Sequence, residues 1–149
     1  MRPIRRTLLA ALFAGGMVAV AALPAGAGQN APVAVTGTAT CNGTTGNYDI
    51  TWTLTKTNQP SVPQQVTSAI QTPPGTDYVA QVTPNPIPAD PGGMGVLQHS
   101  TLATTLPGNT TGPVVLTVIA SPAVASAGTI VLDGTCTIAA VEASPDFTG

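Results

Sequence analysis

The segment 47–57 alternates between apolar side chains and polar ones, most of them threonine, with a period of two residues. Successive side chains of a β-strand point to opposite faces, so this period predicts a strand with one buried face. The apolar positions, which we predict to be core residues, are Tyr48, Ile50, Trp52 and Leu54. Trp52 is the only tryptophan of the chain, and its place in the alternation predicts that it fills a core.

Short runs rich in valine, isoleucine and threonine recur along the chain, separated by clusters of glycine, proline and asparagine. This arrangement predicts an all-β fold rather than alternating strands and helices. We predict about seven strands, near residues 32–41, 47–57, 62–71, 76–83, 95–106, 113–120 and 128–141. Prolines in the segment 83–93 remove backbone donors, which predicts a long exposed connection.

Residues 1–27 have the layout of a secretory signal peptide. Three arginines precede an apolar run over residues 8–23, and the small residues 25–27 follow it. The apolar run is shorter than the roughly 20 residues that a membrane-spanning helix needs. We therefore expect an exported protein, extracellular or associated with the cell envelope. It would have one domain over residues 28–149 and no membrane span after the signal is removed.

The predicted mature chain is acidic and contains very few charged side chains. Lys56 is its only basic residue, against six acidic ones, so the side-chain charge is −5 with His99 neutral. Such a surface repels the phosphates of nucleic acids and the headgroups of anionic lipids. We expect neither as a partner.

Cys41 and Cys136 are the only cysteines. In an oxidising compartment two such thiols form a disulfide, whereas metal ligation or redox chemistry would need clustered ligands or a C-x-x-C spacing. We predict a bridge between them. The alternation of their strands places both cysteines on the inward side, which predicts that the bridge lies beside Trp52.

No constellation of residues predicts catalysis or a cofactor. His99 and Ser100 are the nearest approach to a catalytic pair, but adjacent residues of a strand point to opposite faces. The acidic residues are scattered singly and form no calcium-binding loop. We therefore expect a protein that is not an enzyme, with no catalytic, metal or cofactor site.

A cysteine, the segment "TTGNYDITWTLT", a middle rich in threonine and proline, and the segment "GTIVLDGTC" follow one another in this order. The order resembles the immunoglobulin-like modules of secreted and cell-surface proteins from high-GC Gram-positive bacteria. The positions that carry the resemblance are Cys41, Tyr48, Trp52, Gly134 and Cys136. The resemblance implies an antiparallel β-sandwich without catalytic residues that acts in adhesion, envelope structure or protein–protein contact.

Two other functions stay open at this point. A small polysaccharide-binding domain would stack sugars on exposed aromatic rings. A secreted inhibitor of a hydrolase would present a rigid loop such as the segment 84–93.

The resemblance also raises a hypothesis for Lys56, because modules of this kind can cross-link a lysine to an asparagine with the help of a carboxylate. Lys56 has the same parity as the apolar residues of its strand, so its amine would enter one end of the sandwich. The alternative is that its side chain extends past the core into water.

Overall fold

The computed structural model describes residues 33–56, 62–89, 96–121 and 124–139. Seven strands lie within these ranges: β1 Val33–Asn42, β2 Asn47–Lys56, β3 Val66–Thr72, β4 Thr76–Asp77, β5 His99–Pro107, β6 Thr111–Ala120 and β7 Val124–Asp133. They form two antiparallel sheets, in the orders β1-β2-β5 and β4-β3-β6-β7, and side chains from both sheets share one core. The prediction of an all-β sandwich of about seven strands is confirmed.

The predicted signal peptide, residues 1–27, lies outside the described ranges and stays a prediction. Within those ranges no helix is long and apolar enough to cross a membrane.

The alternation in β2 places one side of this strand in the core. Its apolar residues are all buried: Tyr48, Ile50, Trp52 and Leu54. β2 pairs with β5 so that Trp52 lies opposite Leu102, which is also buried. The threonines between the buried residues of β2 lie on the outer side of the sheet, as a period of two requires.

A β-bulge in β3 decides which of its side chains enter the core. The register between β3 and β6 shifts between Val66 and Ser68. After this shift Ala69 and Gln71 face inward, and Ile70 faces outward with 39% of its surface exposed. Without the extra residue, the period of two from Val66 would bury Ser68 and Ile70 and expose Gln71.

Gln71 joins the two sheets through hydrogen bonds inside the core. Its side chain is fully buried. Its Oε1 accepts a hydrogen bond from Nε1 of Trp52 at 2.8 Å and another from the hydroxyl of Thr104 at 2.7 Å. Its amide nitrogen donates to the carbonyl oxygen of Pro73 at 3.4 Å. Since a buried polar group without a partner costs about 1–3 kcal/mol, these groups stabilise the core only as a set.

The position of Trp52 also depends on a glycine in the neighbouring strand. Gly37 of β1 lies opposite Trp52, and a Cβ atom at Gly37 would be 2.5 Å from two carbons of the indole ring. A larger residue would displace the ring. A glycine inside a strand often marks such a close approach, so Gly37 is the sequence signal that could have predicted this contact.

The predicted strand over 76–83 is wrong beyond Asp77. After the two residues of β4 the chain forms a 3-10 turn over Val79–Gln81. The carboxylate of Asp77 accepts hydrogen bonds from the N–H groups of Ala69 and Val79 and from the hydroxyl of Ser68, at 2.9–3.0 Å. These bonds lower the pKa of Asp77, the bond from Ala69 most, and they hold the chain in the turn instead of an extended strand.

The prediction that residues 83–93 form an exposed connection is only partly right for the part that the structure describes, because Thr83, Pro84 and Pro86 are exposed and Ile87 is not. Ile87 is fully buried and exchanges two backbone hydrogen bonds with Gln64, at 2.9 and 3.0 Å. The side-chain amide of Asn85 bonds both the N–H and the carbonyl of Val66, at 3.0 Å each. A side chain thus supplies the pairing that the prolines cannot, and the segment is held against the core. Residues 90–93 lie outside the described ranges.

The predicted disulfide between Cys41 and Cys136 is confirmed, but its surroundings differ from the prediction. Cys136 is buried, whereas Cys41 is exposed because it lies where β1 leaves the core. Cys41 lies opposite Tyr48, whereas Gly37 lies opposite Trp52. Cys41 is therefore four residues, or about 14 Å, along β1 from the position opposite Trp52. The bridge is therefore not beside Trp52, and it ties the end of β1 to the segment that follows β7.

β7 begins and ends earlier than the predicted strand over 128–141. The strand ends at Asp133 because Gly134 has a φ of 72°, which glycine adopts without strain. A Cβ atom at Gly134 would lie 2.4 Å from Cγ2 of Thr111. Ile138, which the alternation places inward, is therefore beyond the strand and 64% exposed.

We predict that Gln71→Leu lowers the free energy of unfolding by about 2–5 kcal/mol, because Trp52 Nε1 and the Thr104 hydroxyl lose their acceptor inside the core. Denaturant unfolding followed by Trp52 fluorescence measures the change. The matched control is Gln71→Leu combined with Thr104→Val, which removes one of the two unpaired donors and should recover part of the loss. Equal stability of Gln71→Leu and the unaltered chain would contradict this account of the core.

Candidate interaction surface

The two sheets present outer faces of different chemistry. The outward side chains of β1, β2 and β5 are mostly threonines, and we call this surface the threonine face. Its threonines are Thr36, Thr38, Thr40, Thr51, Thr53, Thr55, Thr101 and Thr105. Thr36, Thr53 and Thr101 form one row across the three strands. A sheet that buries one side in the core and carries polar side chains on the other has the pattern expected when its outer face contacts water.

The outer face of β3, β6 and β7 departs from that pattern, and we call it the apolar face. Its apolar residues are Ile70, Pro113, Val115, Ile119, Ala125, Ala127 and Val131. Val131 is 53% exposed and Ile70 is 39% exposed. Ile70, Thr117 and Ala127 form one row, and Pro113 lies beside Val131 in another, so exposed threonines such as Thr117 lie among the apolar groups.

Charge is confined to the margins of the apolar face within the described residues. Asp77 lies on the short strand β4, opposite Ile70, and Asp133 is the last residue of β7. Both carboxylates already accept hydrogen bonds from their own chain. The centre of this face is therefore neutral, and the exposed side chains of Ile70 and Val131 distinguish it from the threonine face.

Tyr48 is held by a polar cluster at the end of the sandwich that also carries the disulfide. Its hydroxyl donates a hydrogen bond to Oδ1 of Asp133 and accepts one from the N–H of Thr135 at 3.1 Å. The backbone N–H and the hydroxyl of Thr135 also donate to Asp133, at 3.0 and 2.8 Å. Together these bonds, the one from Tyr48 most, lower the pKa of Asp133 from 3.8 to about 2.

His99 and Ser100 lie on opposite faces of β5. His99 is exposed at the start of the strand, and Ser100 is buried with its hydroxyl donating to the carbonyl oxygen of Pro84. The hydrogen bond from the Ser100 hydroxyl therefore holds the segment that follows Thr83 against β5. Within the described residues, no group of three histidine, cysteine, aspartate or glutamate side chains is placed to hold a metal ion.

Lys56 is buried, with 5% of its surface exposed, so the alternative that its side chain extends into water is wrong. Its ammonium group donates to the carbonyl oxygen of Val62, and burial lowers its pKa. The contact shown for the amine is thus a backbone carbonyl, and the cross-link to an asparagine stays a hypothesis.

The outer edge of β5 is covered at one point and open beyond it. Thr101 exchanges two backbone hydrogen bonds of 2.8 Å with Thr83 on the side away from β2. Residues two apart in an antiparallel ladder direct their backbone groups to the same side, so those of Ala103 and Thr105 also face outward. Among the described residues, no backbone group bonds them on that side.

Comparison with known proteins finds no matching family model, no similar curated protein and no similar solved structure.

We predict that the midpoint temperature of thermal unfolding decreases as the pH is lowered from 4 to 2, and that part of this decrease depends on Asp133. Its folded pKa of about 2 lies below the unfolded value of 3.8. Its hydrogen bonds therefore stabilise the fold above about pH 4, and this stabilisation is lost as the pH falls through about 2. Calorimetry at pH 7, 4 and 2 should show a smaller acid-induced drop for Asp133→Asn.

Tyr48→Phe is the matched variant, because it keeps the ring in the core and removes the hydroxyl that lowers the pKa most. It should also show a smaller drop. If both variants lose as much stability in acid as the unaltered chain, another group is responsible for the acid sensitivity.

Proposed function

We propose that this chain is a non-enzymatic, immunoglobulin-like module that acts outside the cell or in the cell envelope. Its apolar face makes a protein–protein contact that serves adhesion or envelope structure. The observation that carries the proposal is the contrast between the apolar face and the threonine face. The outward side chains of one sheet suit contact with water, and those of the other suit contact with a protein.

The order of the strands supports the immunoglobulin-like assignment. In immunoglobulin constant domains strands A, B and E are neighbours in one sheet, and C, F and G are neighbours in the other. Here β1-β2-β5 follow the first order and β3-β6-β7 the second, with β4 added at the edge beside β3. Thr83 pairs with the edge of β5, where strand D would lie. The disulfide departs from that family, because it joins the ends of the domain instead of strands B and F.

Two features support a location outside the cytoplasm. Residues 1–27 have the layout of a signal peptide, and signal peptides direct export. The Cys41–Cys136 disulfide is of a kind that persists in oxidising compartments and is rare where thiols are kept reduced.

The magnitudes favour the apolar face over the open edge of β5 as the contact surface. Strand addition at Ala103 and Thr105 would form about four hydrogen bonds, each worth about 1 kcal/mol net. That gain is no larger than the cost of association, which is at least about 4 kcal/mol. Burial of a fully exposed isoleucine or valine contributes about 1.5–3 kcal/mol, and each apolar face offers Ile70 and Val131, which are 39% and 53% exposed, beside the half-buried Val115 and Ile119.

The two other functions have less support. Sugar stacking needs exposed aromatic rings, but among the described residues Trp52 and Tyr48 are buried and Tyr78 is packed against the core. An inhibitor loop at 84–93 would have to project from the domain. Its described part is instead held by Asn85, and Ile87 lies in the core.

Site-specific photo-cross-linking in the exporting cell tests the proposal. A benzophenone side chain placed at Val131 lies on the apolar face, and the same group at Thr51 on the threonine face is the matched control. We predict a protein adduct several-fold stronger from position 131 than from position 51. Equal yields at the two positions, or an adduct with glycan alone, would contradict the proposed contact.

A further inference from the structure

We infer that the protein that covers the apolar face is a second copy of this chain, packed sheet on sheet in a two-fold dimer. The inference rests on the proposed function, since it names the partner of the same surface.

The shape of the apolar face suits a second face of the same kind. β6 and β7 each span ten residues and pair along their whole length, so most of the face is a regular strip. All β-sheets twist in the same sense, and two such faces pack about 10 Å apart with their strands about 30° from parallel. A copy of the same sheet therefore fits without rearrangement.

Charge restricts how two copies of this chain can meet. The predicted mature chain has six acidic side chains and one basic one, so two copies repel each other in most orientations. The centre of the apolar face carries no charge. Asp77 and Asp133 lie at its margins and already have hydrogen-bond partners. Two copies joined through this face avoid placing carboxylates in the buried centre of the contact.

The size of the face sets the expected strength of the dimer. β3 has seven residues and β6 and β7 have ten each, so strands about 4.8 Å apart with about 3.4 Å for each residue give a face of roughly 440 Å². Two copies would then bury roughly 900 Å², somewhat below the limit of about 1,000 Å² for stable specific contacts. The dimer should therefore be weak and reversible, with a dissociation constant of about 10 μM to 1 mM.

The difference between the two outer faces limits the assembly to two copies. A contact in which both partners use the same surface closes on itself, whereas a contact between different surfaces can propagate into a filament. The threonine face does not match the apolar face in chemistry, so it stays in water in both copies.

Sedimentation equilibrium of the purified, oxidised, exported chain tests the inference, at concentrations from about 10 μM to about 1 mM. The average mass should rise from one copy toward two. Val131→Lys should weaken the association by about tenfold or more, because it places two like charges in the contact. Ala127→Lys, in the row of Ile70, gives a second variant if the first does not fold. Thr51→Lys is the control with the same charge change on the threonine face, and its association should match that of the unaltered chain.

A single copy at about 1 mM, or an equal loss of association in Thr51→Lys and Val131→Lys, would overturn the dimer. The cross-linking experiment separates this failure from that of the proposed function. An adduct at position 131 with a different protein, together with a monomer in the centrifuge, rejects the second copy and leaves the protein contact intact. A monomer without any adduct rejects both.

Discussion

The hydrogen bonds of the Gln71 side chain are the interaction on which the sandwich depends. A carboxamide in an apolar core is stable only when its groups are paired, and Trp52 and Thr104 can pair with it only if the two sheets are correctly aligned. These bonds therefore specify how β2 and β5 lie over β3. Gly37 completes the arrangement by leaving room for the indole ring.

The same feature of β3 that buries Gln71 also adds Ile70 to the apolar face. The bulge between Val66 and Ser68 exchanges the two sides of the strand, so that Gln71 enters the core and Ile70 turns outward. The outward apolar residues of β6 and β7 supply the rest of this face as far as Val131, with exposed threonines among them. One extra residue thus affects both the polar contacts of the core and the candidate contact surface.

Much of the fold follows from the sequence because it depends on period and on pairing. The alternation of residues 47–57 predicted the core side of β2, and two lone cysteines predicted one bridge. The bulge could not be predicted, since one extra residue leaves no mark in a run of strand-forming residues. The burial of Ile87 was missed because prolines signal lost backbone donors, while the amide of Asn85 supplies the replacement. The apolar face was missed because only the pairing of β3, β6 and β7 shows that their outward side chains lie on one surface.

The central claim is that the apolar face is covered by a second copy of this chain, while the threonine face stays in water. The most direct test is the solvent exposure of methyl groups, measured by NMR with a soluble paramagnetic agent in the purified exported chain at rising concentration. The account predicts that the methyl groups of Ile70 and Val131 become protected while that of Thr51 keeps its exposure. Unchanged exposure of all three would contradict self-association through the apolar face.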